Sequence, residues 1–318
     1  MDRSIITITP TPPYDFDLTA AYATYFRGQY GAESFHEGLF RRLLDCRGHL
    51  CLVGVRSAGE VDSPVLEVEI EAAGTSLDAD LKSEVKRQVV WILGMDQDLG
   101  PFYHVALQDS VVRPLALGLR GLHVPHTASV YEALVLAILG QQISSHVARM
   151  VRTLLIQTYG PSAEVSGVTY YAFPRPEAIV AAGVEGLRSI KFSARKAEYI
   201  VGIATRVASG EVDLEVLRHH FDEEVVRTLV GIRGVGLWTA QWLLIRALGR
   251  TDGFPHGDLA LQRLLGLLVN GGPPLSPDEA LEYSRRWSPF RSYMTTYLFA
   301  AARSGRFEFL SRAGQVGP

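Results

Sequence analysis

The feature that most constrains this chain is a change of hydrophobic period about one third of the way along it. Up to about Asp109, apolar residues recur in short strand-like runs, Ile5–Thr9, Leu50–Val55 and Val65–Ile70, the last reading Val-Leu-Glu-Val-Glu-Ile. A period of two is the spacing of a half-buried strand. Helix-like segments fall between and after these runs, at Glu37–Leu44 and Asp80–Leu93, and Asp78 stands where an N-cap for the second belongs. Beyond Pro114 the period becomes helical and stays so to about residue 305, broken at Gly140, Gly160-Pro161, Gly183, Gly210, Gly249, Gly271-Gly272-Pro273-Pro274 and Ser288-Pro289. At 318 residues the chain is too long for one ordinary core. The pattern predicts an α+β protein: a small N-terminal α+β domain with an antiparallel sheet over residues 1–112, then an all-helical region of two subdomains over residues 113–318.

Composition narrows the function classes. With 47% apolar and 20% charged residues the chain reads as soluble and globular. The first residues, MDRSIITITPTPPYDF, lack the basic start and apolar stretch of a signal peptide, and Ala133–Leu139 is too short to span a bilayer. A cytoplasmic location without a membrane partner is expected. Two cysteines, Cys46 and Cys51, argue against a disulfide framework and cannot supply the four ligands of an iron–sulfur cluster. Neither His219-His220 nor His123/His126 comes with the remaining ligands of a zinc site. The net charge of −3 hides an asymmetry: residues 1–185 carry 14 Lys/Arg against 21 Asp/Glu, and residues 186–318 carry 17 against 13. The C-terminal part is mildly basic, which is compatible with a DNA-binding face.

The most informative stretch is residues 222–248. Asp222 is placed to cap a helix whose apolar positions Val225, Val226, Leu229 and Val230 have helical spacing, and a second helix begins at Leu237. Between them lies Gly231-Ile232-Arg233-Gly234-Val235-Gly236. Two helices joined through G-V-G form a tight hairpin, and the free amides of the second helix then suit a DNA phosphate, read without regard to base sequence. An ordinary helix connection that needs glycine as a C-cap is the alternative on these residues alone. Downstream, the turn-rich stretch from Arg250 to Gly257 leads to Asp258 and another helix, over a segment spanning 250–265. Asp258 sits at an N-cap position, where the dipole and free amides stabilise an ionised carboxylate. Capping alone would explain it. A fixed anion is also what the cleavage of an N-glycosidic bond needs, because positive charge develops on the sugar.

The string Ile232-Arg233-Gly234-Val235-Gly236-Leu237-Trp238-Thr239-Ala240 resembles the signature of the helix-hairpin-helix DNA glycosylases, L-P-G-[VI]-G-x-x-T-A. Ala137-Ile138-Leu139-Gly140-Gln141-Gln142-Ile143-Ser144 and Arg286-Trp287-Ser288-Pro289-Phe290-Arg291-Ser292-Tyr293 are similar to two further segments of that superfamily's AlkA type, 3-methyladenine DNA glycosylase II. The resemblance covers nearly the whole chain and implies a DNA glycosylase acting, as a monomer, on duplex DNA with damaged, alkylated bases. It implies Asp258 as the catalytic carboxylate, since the superfamily places its Asp about twenty residues beyond the hairpin. By the same resemblance Trp238, Trp242 and Phe299 line the base pocket, Gln142 is the wedge that fills the stack when a nucleotide is flipped out, and Arg233, Gly234, Val235, Gly236 and Thr239 form the phosphate-binding hairpin. Lyases of the superfamily carry a nucleophilic Lys where this chain has Trp238, so hydrolysis to an abasic site without strand cleavage is expected. No cofactor is expected, and the hairpin carbonyls of the superfamily often hold a monovalent cation. Two other readings stay open: a non-catalytic helix-hairpin-helix DNA-binding module, and a glycosylase with another base preference or with lyase activity.

Overall fold

The protein was analysed as a computed structural model that describes residues 2–308, the Asn270 side chain excepted. The last ten residues of the expected helical region lie outside it. Six strands, β1 (Asp2–Ile8), β2 (Gln29–Tyr30), β3 (Glu33–His36), β4 (Leu39–Cys46), β5 (His49–Ser57) and β6 (Leu66–Ala72), form one antiparallel sheet in the order β1-β6-β5-β4-β3-β2. Helix α1 (Phe16–Ala23) follows β1, and α2 (Ala79–Ile92) follows β6. Asp78 caps α2 by accepting from the Leu81 amide at 2.8 Å, as its position implied. Cys46 and Cys51 are buried in the sheet's core as free thiols.

The sheet corrects one expectation. Residues 39–44 of the segment read as helix-like belong to strand β4. Phe40, Leu43 and Leu44 recur at a spacing that a helix would also use, but a two-residue turn at Arg47 and Gly48, with φ of 55° and 89°, folds β4 directly onto β5. Two consecutive left-handed residues make the turn whose twist matches a hairpin, and ladder pairing then overrides helical spacing. The same device corrects a second expectation. The region after Pro114 is not purely helical, because β7 (Ser162–Val165) and β8 (Val168–Tyr171) pair across Ser166 and Gly167. Ala163 and Val165 of that hairpin pack on Leu43 and Leu52 of the large sheet.

Eleven further helices follow among the described residues: α3 (Gly100–Ala106), α4 (Arg113–Gly118), α5 (Val130–Gly140), α6 (Ser145–Tyr159), α7 (Pro176–Ser189), α8 (Ala194–Ala208), α9 (Asp222–Val230), α10 (Leu237–Arg246), α11 (Leu259–Asn270), α12 (Pro277–Ser284) and α13 (Arg291–Arg303). None of them is long and apolar enough to cross a membrane. They divide into two packed groups. One core is built by α5 to α10 around Leu134, Ile138, Ile200 and Leu243. The other joins α3 and α4 to α11–α13 around Phe102, Leu115, Leu265, Trp287 and Tyr297. Helix α3 lies before residue 112 yet packs with the C-terminal helices, so the packing boundary falls near α3.

The sheet is tied to the helices by buried charge. Arg42 of β4 pairs with Glu33 of β3 and reaches Glu132 of α5 at 2.6 Å, while Arg152 of α6 pairs with Glu33 at 2.8 Å. Charges so deeply buried persist only when matched, and two arginines here face two glutamates. This quartet fixes β2 and β3 against α5 and α6, which line the site described next.

Candidate active site and nucleic-acid interface

The hairpin is α9, a six-residue loop, and α10. Phe221 is the N-cap residue of α9, and Asp222 is its first helical residue and makes no capping bond. Its carboxylate pairs instead with Arg250 at 3.1 Å; burial raises its proton affinity and Arg250 opposes that rise. At the other end of the loop, Gly236 is the N-cap of α10 and has no side chain to satisfy the helix's first amides. Among the described residues the backbone N–H groups of Gly236, Leu237, Trp238 and Thr239 meet no protein acceptor. Four unpaired donors at the positive end of a helix dipole are an arrangement that favours an anion.

The five hairpin residues named by the sequence do not all face that site. Gly236 and Arg233 are exposed. Gly234 has φ of 92°, and a Cβ there would land inside the Tyr199 ring, so this glycine serves close packing against α8. Val235 is buried in the core of α5–α10. Thr239 is buried as well, and its hydroxyl accepts from Gln141 Nε2 at 3.2 Å, which leaves only its amide for a phosphate.

Asp258 is the N-cap of α11, where its Oδ1 accepts from the amides of Ala260 at 2.9 Å and Leu261 at 3.0 Å. Its other oxygen, Oδ2, accepts from the indole N–H of Trp238 at 2.8 Å and of Trp242 at 3.3 Å. The loop that presents it is locked from outside. Arg291 grips Asp252 through two bonds of 2.8 and 2.7 Å, Ser292 N donates to Thr251 O at 2.9 Å, and Gln262 Nε2 donates to His256 O at 2.8 Å. The Arg286–Tyr293 segment thus acts as a brace for the Asp258 loop.

Asp258, Trp238, Trp242 and Phe299 come together in one cavity of about 350 Å³. Trp242 stands between the other two rings, with centroids 6.4 Å from Trp238 and 5.5 Å from Phe299. Gln142 lies outside the cavity lining, exposed in the turn between α5 and α6 with φ of 55°; its neighbours Gly140 and Ile143 line the cavity.

Among the lining residues that sequence reasoning missed are two tyrosines, Tyr25 and Tyr30, and three arginines, Arg152, Arg246 and Arg303. The tyrosines come from the N-terminal region and stack at 4.1 Å, with Arg303 lying 4.1 Å over Tyr25 and Arg152 4.4 Å over Tyr30. Burial alone would raise the Tyr25 phenol, but Arg303, Arg246 and Arg152 outweigh it and hold the phenol below its ordinary value. Among the described residues, Arg246 and Arg303 have no carboxylate partner. The only local signal was the aromatic density of Tyr22–Tyr30, which nothing in sequence connects to α13.

The hairpin loop also leaves carbonyls free that a monovalent cation would use. The carbonyls of Val230, Arg233 and Val235 accept no protein donor among the described residues, and carbonyl dipoles are the ligands such an ion takes. Such an ion would stiffen the loop and would take no part in bond cleavage.

Residues 135–289 match the family model described as HhH-GPD superfamily base excision DNA repair protein. A DNA-3-methyladenine glycosylase of Bacillus subtilis is 34% identical over 218 residues, covering 69% of this chain and 72% of the relative. The structure of a 3-methyladenine DNA glycosylase from Archaeoglobus fulgidus superposes with a TM-score of 0.82 at 29% identity, covering 94% of this chain and 98% of that one. A Clostridium acetobutylicum 8-oxoguanine glycosylase/lyase in complex with double-stranded DNA shares the fold, with a TM-score of 0.74 at 17% identity over 96% of this chain and 99% of its own.

Proposed function

Because the chain belongs to the helix-hairpin-helix family of base excision DNA repair glycosylases, of the AlkA type, we propose that it is a monofunctional enzyme that flips an alkylated base out of duplex DNA and hydrolyses its N-glycosidic bond. The phosphate backbone sits on the free amides of Gly236–Thr239, Gln142 fills the vacated place in the stack, and the base enters the cavity. There the faces of Trp238, Trp242 and Phe299 receive a purine of the 3-methyladenine or 7-methylguanine type by stacking. As the glycosidic bond lengthens, positive charge grows on the sugar, and the Asp258 carboxylate stabilises it. Water completes the substitution and leaves an abasic site.

The hydrogen bonding of Asp258 carries this reading. A carboxylate has about four lone-pair sites, and four N–H donors converge on this one. Such a carboxylate is held in place with its lone pairs already engaged, which suits electrostatic stabilisation rather than general base catalysis. The absence of lyase chemistry is supported by Trp238, which stands where lyases of the family keep their Lys. Lys196 donates to the carbonyls of Leu139 at 2.8 Å and Gln141 at 2.5 Å, and no lysine lines the cavity.

Two assays test the proposal. Excision from duplexes containing 3-methyladenine, 7-methylguanine, hypoxanthine, ethenoadenine or 8-oxoguanine should be fastest for the alkylated purines; exclusive removal of 8-oxoguanine would refute the assignment. Borohydride should trap no covalent complex on the substrate that is cut, and strands should break only after heat or alkali. A stable protein–DNA crosslink would show that an amine takes part.

A further inference from the structure

Helix α8 supports two parts of the DNA face at once. Its Lys196 reaches the C-terminal end of α5 and donates to the carbonyls of Leu139 and Gln141. An ammonium there satisfies orphaned carbonyls and complements the negative end of the helix. Lys196 has no carboxylate partner among the described residues, and burial holds its amine below the ordinary lysine value. One turn further on, the Tyr199 ring packs closely against Gly234 of the hairpin, with the Arg233 guanidinium 5.3 Å from the ring centroid. The two supported segments are also joined directly. Gln141 Nε2 donates to Gly234 O at 2.9 Å and to Thr239 Oγ1 at 3.2 Å.

The residue that follows Gln141 is Gln142, held in the left-handed region at φ 55°. A non-glycine residue keeps that conformation only where its surroundings enforce it. The enforcing contacts are those of Gln141, whose side chain is bonded to the hairpin and whose carbonyl is bonded to Lys196. The chain from the phosphate-facing amides to the tip of the α5–α6 turn is therefore short: Gly236, Gly234, Gln141, Gln142.

We propose that Lys196 and Gln141 are positioning residues that couple the hairpin's hold on the phosphate backbone to the insertion of Gln142 into the base stack. This rests on the reading of Gln142 as the wedge. When the hairpin seats on a phosphate, the Gln141 bond places Gln142 at a fixed offset along the duplex, and Lys196 keeps the turn from yielding as bases are forced apart. Neither side chain touches the reacting atoms.

The test compares Lys196→Met, Gln141→Leu and Gln142→Ala with wild type, using the base removed fastest in the excision panel. Two duplexes are needed, one with that base paired and one with it opposite a tetrahydrofuran abasic analogue, where extrusion meets less resistance. Fluorescence of 2-aminopurine next to the target reports unstacking. Affinity for undamaged duplex should stay within about threefold for all three variants, because the phosphate contacts remain. Single-turnover excision of the paired base should fall at least about tenfold, with loss of the 2-aminopurine signal, and should recover to near wild type opposite the analogue. Lys196→Arg, which keeps cationic donors, should restore most of the rate on the paired duplex. Equal loss on both duplexes would mean general damage to the site and would overturn the coupling. A flipping defect in Gln142→Ala without one in Lys196→Met or Gln141→Leu would overturn it as well. Unchanged flipping in Gln142→Ala would remove the wedge reading itself, whatever the other two variants do.

Discussion

The two hairpin glycines should respond oppositely to substitution. Gly236 has φ of −102°, and a Cβ there meets nothing within 4 Å, so a side chain is sterically free. Asp is moreover a good N-cap residue, so Gly236→Asp should leave stability unchanged or raise it by about 0.3 kcal/mol. The new carboxylate would bond the free amides at the start of α10 and place a negative charge where the phosphate is proposed to sit. Hydrogen bonds to charged groups are worth roughly 1.5–3 kcal/mol, so losing that phosphate should weaken binding about tenfold to 150-fold. The loss should be equal for undamaged and damaged duplexes, because the contact carries no base information. Gly234→Ala should behave otherwise. Its positive φ costs about 1–2 kcal/mol with a Cβ, the Tyr199 ring blocks the added methyl, and the melting temperature should drop. Fluorescence anisotropy with both duplexes, beside thermal melts, separates the two. Unchanged DNA affinity in a well-folded Gly236→Asp protein would refute the placement of the phosphate. A loss confined to damaged DNA would move the hairpin's role to the pocket.

Other consequences follow from the cavity and from the buried histidines. Arg303 lies 4.9 Å over Phe299 and 4.1 Å over Tyr25, so it competes with a cationic base for the same aromatic walls. Coulomb repulsion at roughly 6 Å in an effective dielectric of about 20 is about 3 kcal/mol, and half of it would shift relative rates about tenfold. Arg303→Ala should therefore raise 7-methylguanine excision relative to hypoxanthine, measured on paired substrates; an unchanged ratio would show that the guanidinium stays away from the base. His126 stacks on Trp91 at 4.2 Å and its Nδ1 lies 2.9 Å from Trp91 O, and burial lowers its proton affinity from the ordinary 6.5 to about 3. The folded value lies below the unfolded one, so no stability is lost above pH 6.5, and the loss grows as pH falls towards 3. At pH 5 it amounts to about 2 kcal/mol, which urea unfolding at pH 7 and pH 5 would detect as a difference that His126→Gln removes. An equal pH dependence in the variant would assign the loss to other groups.

Much of this arrangement was legible before any coordinates. The hairpin, the N-cap position of Asp258 and the aromatic positions could be found because each depends on local chemistry: a glycine turn, a cap, a motif within one helix pair. The β4 and β7–β8 strands were not found. Both hang on two-residue turns, Arg47-Gly48 and Ser166-Gly167, and the apolar residues of β4 also fit a helical spacing. Asp222 has the right residue type for a cap, yet the chain enters α9 one residue earlier and its carboxylate goes to Arg250. Thr239 and Gly234 belong to a phosphate-binding motif, but their Cβ directions point inward to Gln141 and Tyr199, and facing is a property of packing rather than of residue type. Tyr25 and Tyr30 reach the cavity only because the quartet of Arg42, Glu33, Glu132 and Arg152 docks the sheet on α5 and α6. Contacts across more than a hundred residues leave no periodic trace in a single sequence.

In the proposed reaction the Asp258 carboxylate, held by four N–H donors, lowers the barrier to glycosidic cleavage electrostatically. The decisive variant is Asp258→Asn. Asn is an equally good N-cap, so α11 and the loop should survive, while the amide nitrogen would face the two indole N–H groups in place of an anion. Single-turnover excision at saturating enzyme should fall by about two to three orders of magnitude or more, with affinity for an abasic-analogue duplex within about threefold of wild type. Near-normal excision by a folded Asp258→Asn protein would contradict the account.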